Sequence, residues 1–235
     1  MTLYLPELSS SNTLFPDPSL ALTEPNGLLA FGGDLSVARL RNAYKQGIFP
    51  WYGVAEPILW WSPSPRAVFL PHTYKPSKSL VKFHKKHQYR VSINRATEQL
   101  IELCASTRPD EETWITDEML IAYQTLAKAG HCHSVEVWDQ DQLIGGLYGV
   151  SVGQVFCGES MVSIKTNASK VALWHFCLHF MQHGGRLIDC QIMNPHLASL
   201  GAIELPKETF HEHLLAYRDT EMPETCYEPQ YLSMT

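Results

Sequence analysis

The stretch "ASKVALWHFCLHFMQH", residues 168–183, constrains the fold more than any other part of the chain. Leu173, Trp174, Phe176, Cys177, Leu178, Phe180 and Met181 make it apolar around most of a helix. A helix laid on one side of a sheet needs an apolar stripe only about 100° wide. This one therefore needs cover on more than one side. Either it is core between two domains, or it lines an apolar pocket with Phe176 and Phe180, one turn apart, as the wall. Asn167 is the expected N-cap and "GG" the stop. His175, His179 and His183 recur every four residues and are read as a solvated polar stripe. Three stacked imidazoles also suit a metal ion, but no CxxC pair accompanies them, and "HCH" at 131–133 lacks a second pair at zinc-finger spacing. No metal is expected.

The flanking pattern is mixed. A strand over 66–70 is followed by helices over 77–87 and 95–106, with a strand over 89–93 between them. A helix over 117–129 comes next, then strands over 133–138, 142–150 and 153–158. Beyond the apolar helix a strand over 186–192 and a short helix over 195–200 are predicted. Hairpins followed by a helix and one more strand point to an α+β fold with a mixed, largely antiparallel sheet, not to repeated βαβ units. Residues 1–65 differ in texture. Their "EPNG", "FGG" and "FPWYG" stretches are turns, around one helix capped at Asp34 or Ser36 and stopped near Gly47. This gives a small loop-rich N-terminal domain, 1–65, ahead of a larger domain, 66–235.

A chain of 235 residues with 45% apolar and 18% charged residues is globular and needs no staples. No run approaches a membrane span, and the start lacks the basic-then-apolar pattern of an export signal. The six scattered cysteines are accordingly read as reduced thiols in a cytoplasmic protein. A monomer is the default expectation.

The net charge of −6 hides an asymmetry. Between Pro57 and Thr97 there is no acid, yet 8 of the 18 basic residues, Arg66 among them, fall there. Behind Ser77, a good N-cap, Lys78, Lys82, Lys85 and Lys86 recur at helical spacing, with Leu80, Val81 and Phe83 to anchor the other side. Most charge runs are solvated faces, but those interleave acids with bases, because like charges one turn apart repel. An unmixed lysine row in an acidic protein points to a phosphate backbone, without choosing DNA or RNA.

Two further strands carry unexpected polar residues. In "RLIDCQIMNP", Asp189 and Gln191 lie two apart, on one face of an otherwise apolar strand. In "GQVFCGESM", Glu159 follows Phe156 and Cys157 at what reads as a strand end. A lone acid there is usually solvent-facing; alternatively Glu159, Asp189 and Gln191 converge on a spot suited to an amine. There is no GxSxG, Walker A or GxGxxG, and no cysteine with an assignable histidine base. An enzyme built this way positions two substrates and manages a proton.

These pieces together resemble one family, the leucyl/phenylalanyl-tRNA–protein transferases. The resemblance runs nearly the whole chain, in order, through "EPNGLLAFGGDLS", "GIFPWY", "ILWWSPSPRAV", "TWIT", "GGLYGV", "FCGESM", "NASK", "HGGRLIDCQ" and "HLASLGA". It implies transfer of leucine or phenylalanine, sometimes methionine, from aminoacyl-tRNA to proteins beginning with Arg or Lys, marking them for N-degron proteolysis. It also implies that the larger domain is similar to the GNAT acyltransferases, though their Q/R-x-x-G-x-G/A coenzyme A loop is absent here. No cofactor is implied. Position by position, the family's aminoacyl side-chain pocket falls on Leu147, Phe156, Leu173, Phe176, Phe180 and Ile188. Trp51, Trp114, Tyr123 and Glu159 match positions around the terminal adenosine and the peptide. Asp189 and Gln191 match the proposed catalytic pair, with Asp189 expected to hydrogen-bond Gln191. Lys78, Lys82, Lys85 and Lys86 match the tRNA-binding surface. Family members often mix arginine into that helix, so charge is kept here while bidentate clamping is lost. The rival readings are a coenzyme A-dependent N-acetyltransferase, an RNA-binding module without chemistry, and a transferase for acidic N-termini.

Overall fold

In the computed structural model, residues 5–107 and 115–233 are described. The first sixty residues hold more regular structure than their turn-rich sequence suggests. Strands β1 (Glu7–Leu8), β2 (Leu28–Gly32), β3 (Phe49–Pro50) and β4 (Leu59–Trp61) form a sheet in the order β1-β2-β4-β3, with helix α1 (Val37–Lys45) beside it. At two to five residues the strands are too short to show a period of two. Pairing and Trp60 hold them: its buried indole donates to the Gly32 carbonyl at 2.9 Å. Helix α1 starts where its sequence signals it. The Ser36 hydroxyl accepts from the Arg39 amide at 3.3 Å, and Gly47, at φ +71°, takes the left-handed position just past the end.

The rest of the chain adds β5 (Arg66–Phe69), α2 (Lys78–His87), β6 (Arg90–Ile93), α3 (Thr97–Ser106), α4 (Asp117–Lys128), β7 (Cys132–Asp139), β8 (Gln142–Val152) and β9 (Val155–Ser163). It continues with α5 (Ala168–Gln182), β10 (Leu187–Asp189), α6 (Pro195–Ser199), β11 (Ile203–Leu205), α7 (Lys207–Tyr217) and β12 (Gln230–Tyr231). The strands form one sheet ordered β11-β5-β10-β9-β8-β7-β6-β12. All neighbours in it are antiparallel except β9 and β10. The class is therefore α+β with a mixed, largely antiparallel sheet, as expected. No described helix is long and apolar enough to cross a membrane.

The two faces of this sheet answer the question posed by the apolar helix. One face, with Tyr148, Cys157 and Leu187, packs into a core shared with α1, α3, α4, α7 and the small sheet. The other, with Phe69, Leu147, Phe156 and Ile188, packs on α5. Helix α5 is covered in turn by α2 and by the C-terminal segment around Cys226. Phe176 and Phe180 are both buried, each worth roughly 1.5–3 kcal/mol of transfer free energy. Leu178 and Met181 are exposed.

Four expectations need correction here. The histidine stripe is not solvated: His175 and His179 are buried and His183 is half-buried, because α2 and the C-terminal segment take the side that was read as open to water. Asn167 is no N-cap, since its backbone is left-handed at φ +65°. The Ser163 hydroxyl accepts from the Ser169 amide instead, at 2.9 Å. The strand read over 186–192 closes at Asp189, and Gln191 takes φ +58°, so strand alternation does not relate the two. Finally, β11, α7 and β12 follow the last predicted element.

Candidate active site

The β9–β10 register sets the site. The ladder ends where Asp189 pairs with Cys157, and the left-handed turn that follows carries Gln191 to Glu159. Their side chains meet: Gln191 Nε2 donates to Glu159 Oε1 at 3.2 Å. This leaves Gln191 Oε1 as an acceptor. Glu159 lies inside β9 and is half-buried, not solvent-facing at a strand end. Its other oxygen accepts from the Tyr123 hydroxyl at 2.7 Å, and Tyr44 reaches the Tyr123 hydroxyl at 2.6 Å. With the Tyr123 proton directed at Glu159, Tyr44 donates to Tyr123. Burial pushes the Glu159 pKa up to about 7, although both tyrosines pull it down. Both phenols are driven well above their usual value, chiefly by burial and then by the Glu159 charge, so they remain donors.

Asp189 is placed differently from Glu159. It is fully buried and held in a fork by Arg66, with Nε to Oδ1 at 2.8 Å and Nη2 to Oδ2 at 2.7 Å. Arg66 is fully buried too, between the rings of Phe49 and Phe210, and its Nη1 donates to the Gly47 carbonyl at 2.9 Å. Burial works against the guanidinium charge, but Asp189 outweighs it and raises the Arg66 pKa. Arg66 is thus removed from the basic surface in which the sequence had counted it. Asp189 does reach Gln191, but through the backbone: its Oδ1 accepts the Gln191 amide at 3.0 Å. The Gln191 carbonyl in turn accepts from the Ala67 amide at 3.1 Å. These bonds fix the left-handed turn that presents the Gln191 side chain.

Glu159 and Gln191 line a cleft of about 920 Å³ bounded by β8, β9, β10, α5, the segment 49–51 and the loop after β10. Leu147, Phe156, Leu173, Phe176 and Ile188 form part of its wall. Phe180 does not reach the cleft. It stacks behind Phe176 at 5.1 Å and 17°, supporting that ring. Gly149 is required here, because a Cβ would fall 2.2 Å from the Cys157 carbonyl oxygen and 2.7 Å from the Phe156 ring. Trp51 lines the cleft with 43% of its surface exposed. Tyr123 is fully buried behind Glu159, so it can touch neither adenosine nor peptide directly. Trp114 lies outside the described residues. Cys190 is at the cleft, but burial raises its pKa well above that of a free thiol, leaving no thiolate for covalent chemistry.

Lys78, Lys82, Lys85 and Lys86 are all exposed on α2, and none is ion-paired to a described carboxylate. Ser77 caps the helix, accepting from the Leu80 amide at 3.1 Å. Leu80 and His84 anchor it, with His84 packed on Trp174 and His175 of α5.

Comparison with known proteins fits this arrangement. Residues 68–215 match the model of the leucyl/phenylalanyl-tRNA protein transferase family, and residues 33–64 match that of its N-terminal domain. The leucyl/phenylalanyl-tRNA–protein transferase of Vibrio atlanticus (strain LGP32) is 63% identical over 99% of this chain and 98% of its own. That of Aliivibrio salmonicida (strain LFI1238) is 62% identical over 99% of both. The chain belongs to the leucyl/phenylalanyl-tRNA–protein transferase family. It is, like the family, a transferase. Among solved structures, a conserved protein of unknown function from Bacteroides thetaiotaomicron overlays with a TM-score of 0.42 and 13% identity, covering 72% of this chain and 60% of that one.

Reading the transferase sequence missed two parts of the site. One is Tyr44, the far end of the hydroxyl chain, which carried no signal in a helix that reads as ordinary. The other is the role of Arg66. A signal for it existed: "RAVFL" places an arginine at the head of an apolar strand, where a lone charge needs a buried partner.

Proposed function

We propose that this protein transfers Leu, Phe or Met from aminoacyl-tRNA to the α-amine of proteins beginning with Arg or Lys, by direct aminolysis of the tRNA ester. The product would be marked for N-degron proteolysis in the cytoplasm. The observation that carries the reading is the cleft. An apolar wall suited to an aminoacyl side chain lies beside a carboxylate and an amide locked together at 3.2 Å. Trp51, exposed at the same cleft, offers a face on which the terminal adenine stacks, a contact worth about 1–3 kcal/mol. The lysine row on α2 provides phosphate contacts for the body of the tRNA.

The reaction needs little base strength. An α-amine has an ordinary pKa near about 8, so a useful fraction is already neutral at pH 7. Placement and a path for one proton matter more. In this mechanism the amine nitrogen attacks the ester carbonyl carbon while its N–H donates to Gln191 Oε1. The ribose oxygen of the tRNA leaves with the proton that the amine gives up. Gln191, an amide, orients the amine and does not keep the proton. Glu159 holds the Gln191 amide and, when ionised, attracts the cationic side chain of the acceptor's first residue. Asp189 acts from behind, through the Gln191 backbone. With both its oxygens on Arg66, it is not the acceptor's partner.

The test mixes purified protein, tRNA carrying radiolabelled leucine, and a model protein beginning with Arg, with Ala or with Asp. Acid-stable label on the Arg form alone is the expected result. Binding of the tRNA without product would leave the RNA-binding reading. Label on a form beginning with Asp would move the acceptor rule to acidic N-termini.

A further inference from the structure

The histidines of α5 that face away from the cleft make a second constellation. His175 faces His84 of α2, with ring centroids 5.0 Å apart. His179 and His183, one and two turns further on, face Cys226 instead. Cys226 belongs to a short 3-10 turn, Glu224–Cys226, near the C-terminus. A potential ligand atom from each of His179, His183 and Cys226 lies within 4.8 Å of the other two.

The hydrogen bonds at the rings make this more than proximity. His179 Nε2 is 2.8 Å from the Cys226 carbonyl, and His183 Nδ1 is 2.8 Å from the His179 carbonyl. A carbonyl only accepts, so each of these nitrogens carries the proton. The lone pairs are therefore on His179 Nδ1 and His183 Nε2. Metal-bound histidines are held in this way, with the second ring nitrogen donating to a carbonyl that fixes tautomer and orientation. The donor set is two imidazoles and a sulfur, without a carboxylate. It suits a soft or borderline ion such as zinc and disfavours magnesium and calcium.

We propose that His179, His183 and Cys226 bind one zinc ion, which fastens the C-terminal segment to α5. Tetrahedral zinc with ordinary N and S bond lengths places its ligand atoms roughly 3.3–3.6 Å apart. From ligand atoms within 4.8 Å of one another, the groups draw together by about 1 Å or more, each ring turning its unprotonated nitrogen to the ion, and the half-buried His183 has the room to do so. The same partial exposure leaves room for water as the fourth ligand. Binding exchanges the Cys226 thiol proton for the metal, and the proton goes to solvent. The ion would join two parts of the fold far apart in sequence. One is α5, whose Leu173 and Phe176 line the cleft, and the other is the segment leading to β12, which pairs with the sheet edge at β6. Neither tRNA binding nor transfer is required for the ion to bind, so the proposal is independent of the function proposed above.

The full-length reduced protein, stripped with chelator, is titrated with zinc against a chromophoric chelator and, separately, with cobalt. One equivalent is expected to bind tightly, with a cobalt spectrum showing thiolate charge transfer. His183→Gln should weaken binding by about 10- to 100-fold or more. Cys226→Ser should abolish the charge-transfer band, and heating the intact protein with zinc should raise its melting temperature but not that of His183→Gln. Because Cys226 is buried, the half-buried His183 carries the decision if the serine variant does not fold. No stoichiometric binding, or equal affinity in intact protein and His183→Gln, overturns the proposal. The five other cysteines and nine other histidines make that control necessary.

Discussion

Arg66 and Asp189, 123 positions apart, face each other as a two-pronged ion pair, at 2.8 and 2.7 Å, with both side chains out of water. The pair joins β5 to β10, and through Gly47 it reaches the segment that carries Trp51. Removing one partner leaves a buried charge uncompensated, which costs about 3–5 kcal/mol, whereas replacing both by apolar groups is often neutral. Arg66→Met should therefore lower the urea unfolding free energy by that amount. Adding Asp189→Leu should recover most of the stability. Transfer should stay low in the double variant, because the Gln191 amide has lost its acceptor. Recovery of both stability and transfer would show that the pair only fills space.

Glu159 gives the pH dependence. Its folded pKa, raised by burial from 4.5 to about 7, means that the fold favours the protonated acid. The sign follows: its contribution to stability is fully present below about pH 4.5 and is lost as the pH rises through 7. Transfer should run the other way, since the acceptor's cationic side chain needs the carboxylate. The rate with an Arg-initiated protein should rise through pH 7 and again near the amine pKa of about 8. In Glu159→Gln the lower inflection should vanish and the upper one remain. Rate profiles of the two proteins between pH 5.5 and about 9 provide the check.

What the sequence made legible was local or strongly periodic. Ser77 caps α2 and Gly47 ends α1 through contacts within a few residues, and β7 and β8 are neighbours in the chain that pair directly. The excess apolar surface of α5 correctly required cover on several sides. What stayed hidden depends on residues distant in the chain. Nothing in "RLIDCQ" names Arg66 as the partner of Asp189. The left-handed turn at Gln191 breaks the strand pattern on which the shared-face argument stood. The histidine stripe has the spacing of a solvated face, and only α2 over His175 and the return of the chain at Cys226 over His179 bury it. Of the six residues that the family resemblance assigns to an apolar pocket, Leu147, Phe156, Leu173, Phe176 and Ile188 line the cleft and Phe180 does not; periodicity alone does not separate a cleft wall from ordinary core.

The lysine row should act through salt. Each phosphate contact that is lost reduces the slope of log K against log salt by about 1 for duplex and somewhat less for single strands. Lys82→Gln with Lys86→Gln should weaken tRNA binding at low salt and make it less salt-sensitive by about two contacts. The loss should be similar for tRNAs of different sequence, because backbone contacts carry no base information. Filter binding across salt concentrations measures both. An unchanged slope would assign α2 to a solvated face.

The shape of the cleft should grade the donors. Leu, Phe and Met are unbranched at Cβ and can extend an apolar chain between Leu147, Phe156, Leu173, Phe176 and Ile188. Ile and Val carry a second substituent at Cβ, nearest the ester, where Glu159 and Gln191 also stand. A mismatch of one methylene is worth about 1–3 kcal/mol, so the expectation is a preference of roughly 10- to 200-fold, not exclusion. In a competition assay Leu-tRNA should outrun Ile-tRNA by a factor in that range. Leu173→Ala widens the wall from α5 and should narrow the ratio mainly by slowing Leu. If intact protein uses both donors equally, the apolar wall does not select the side chain, and selection must rest on the tRNA.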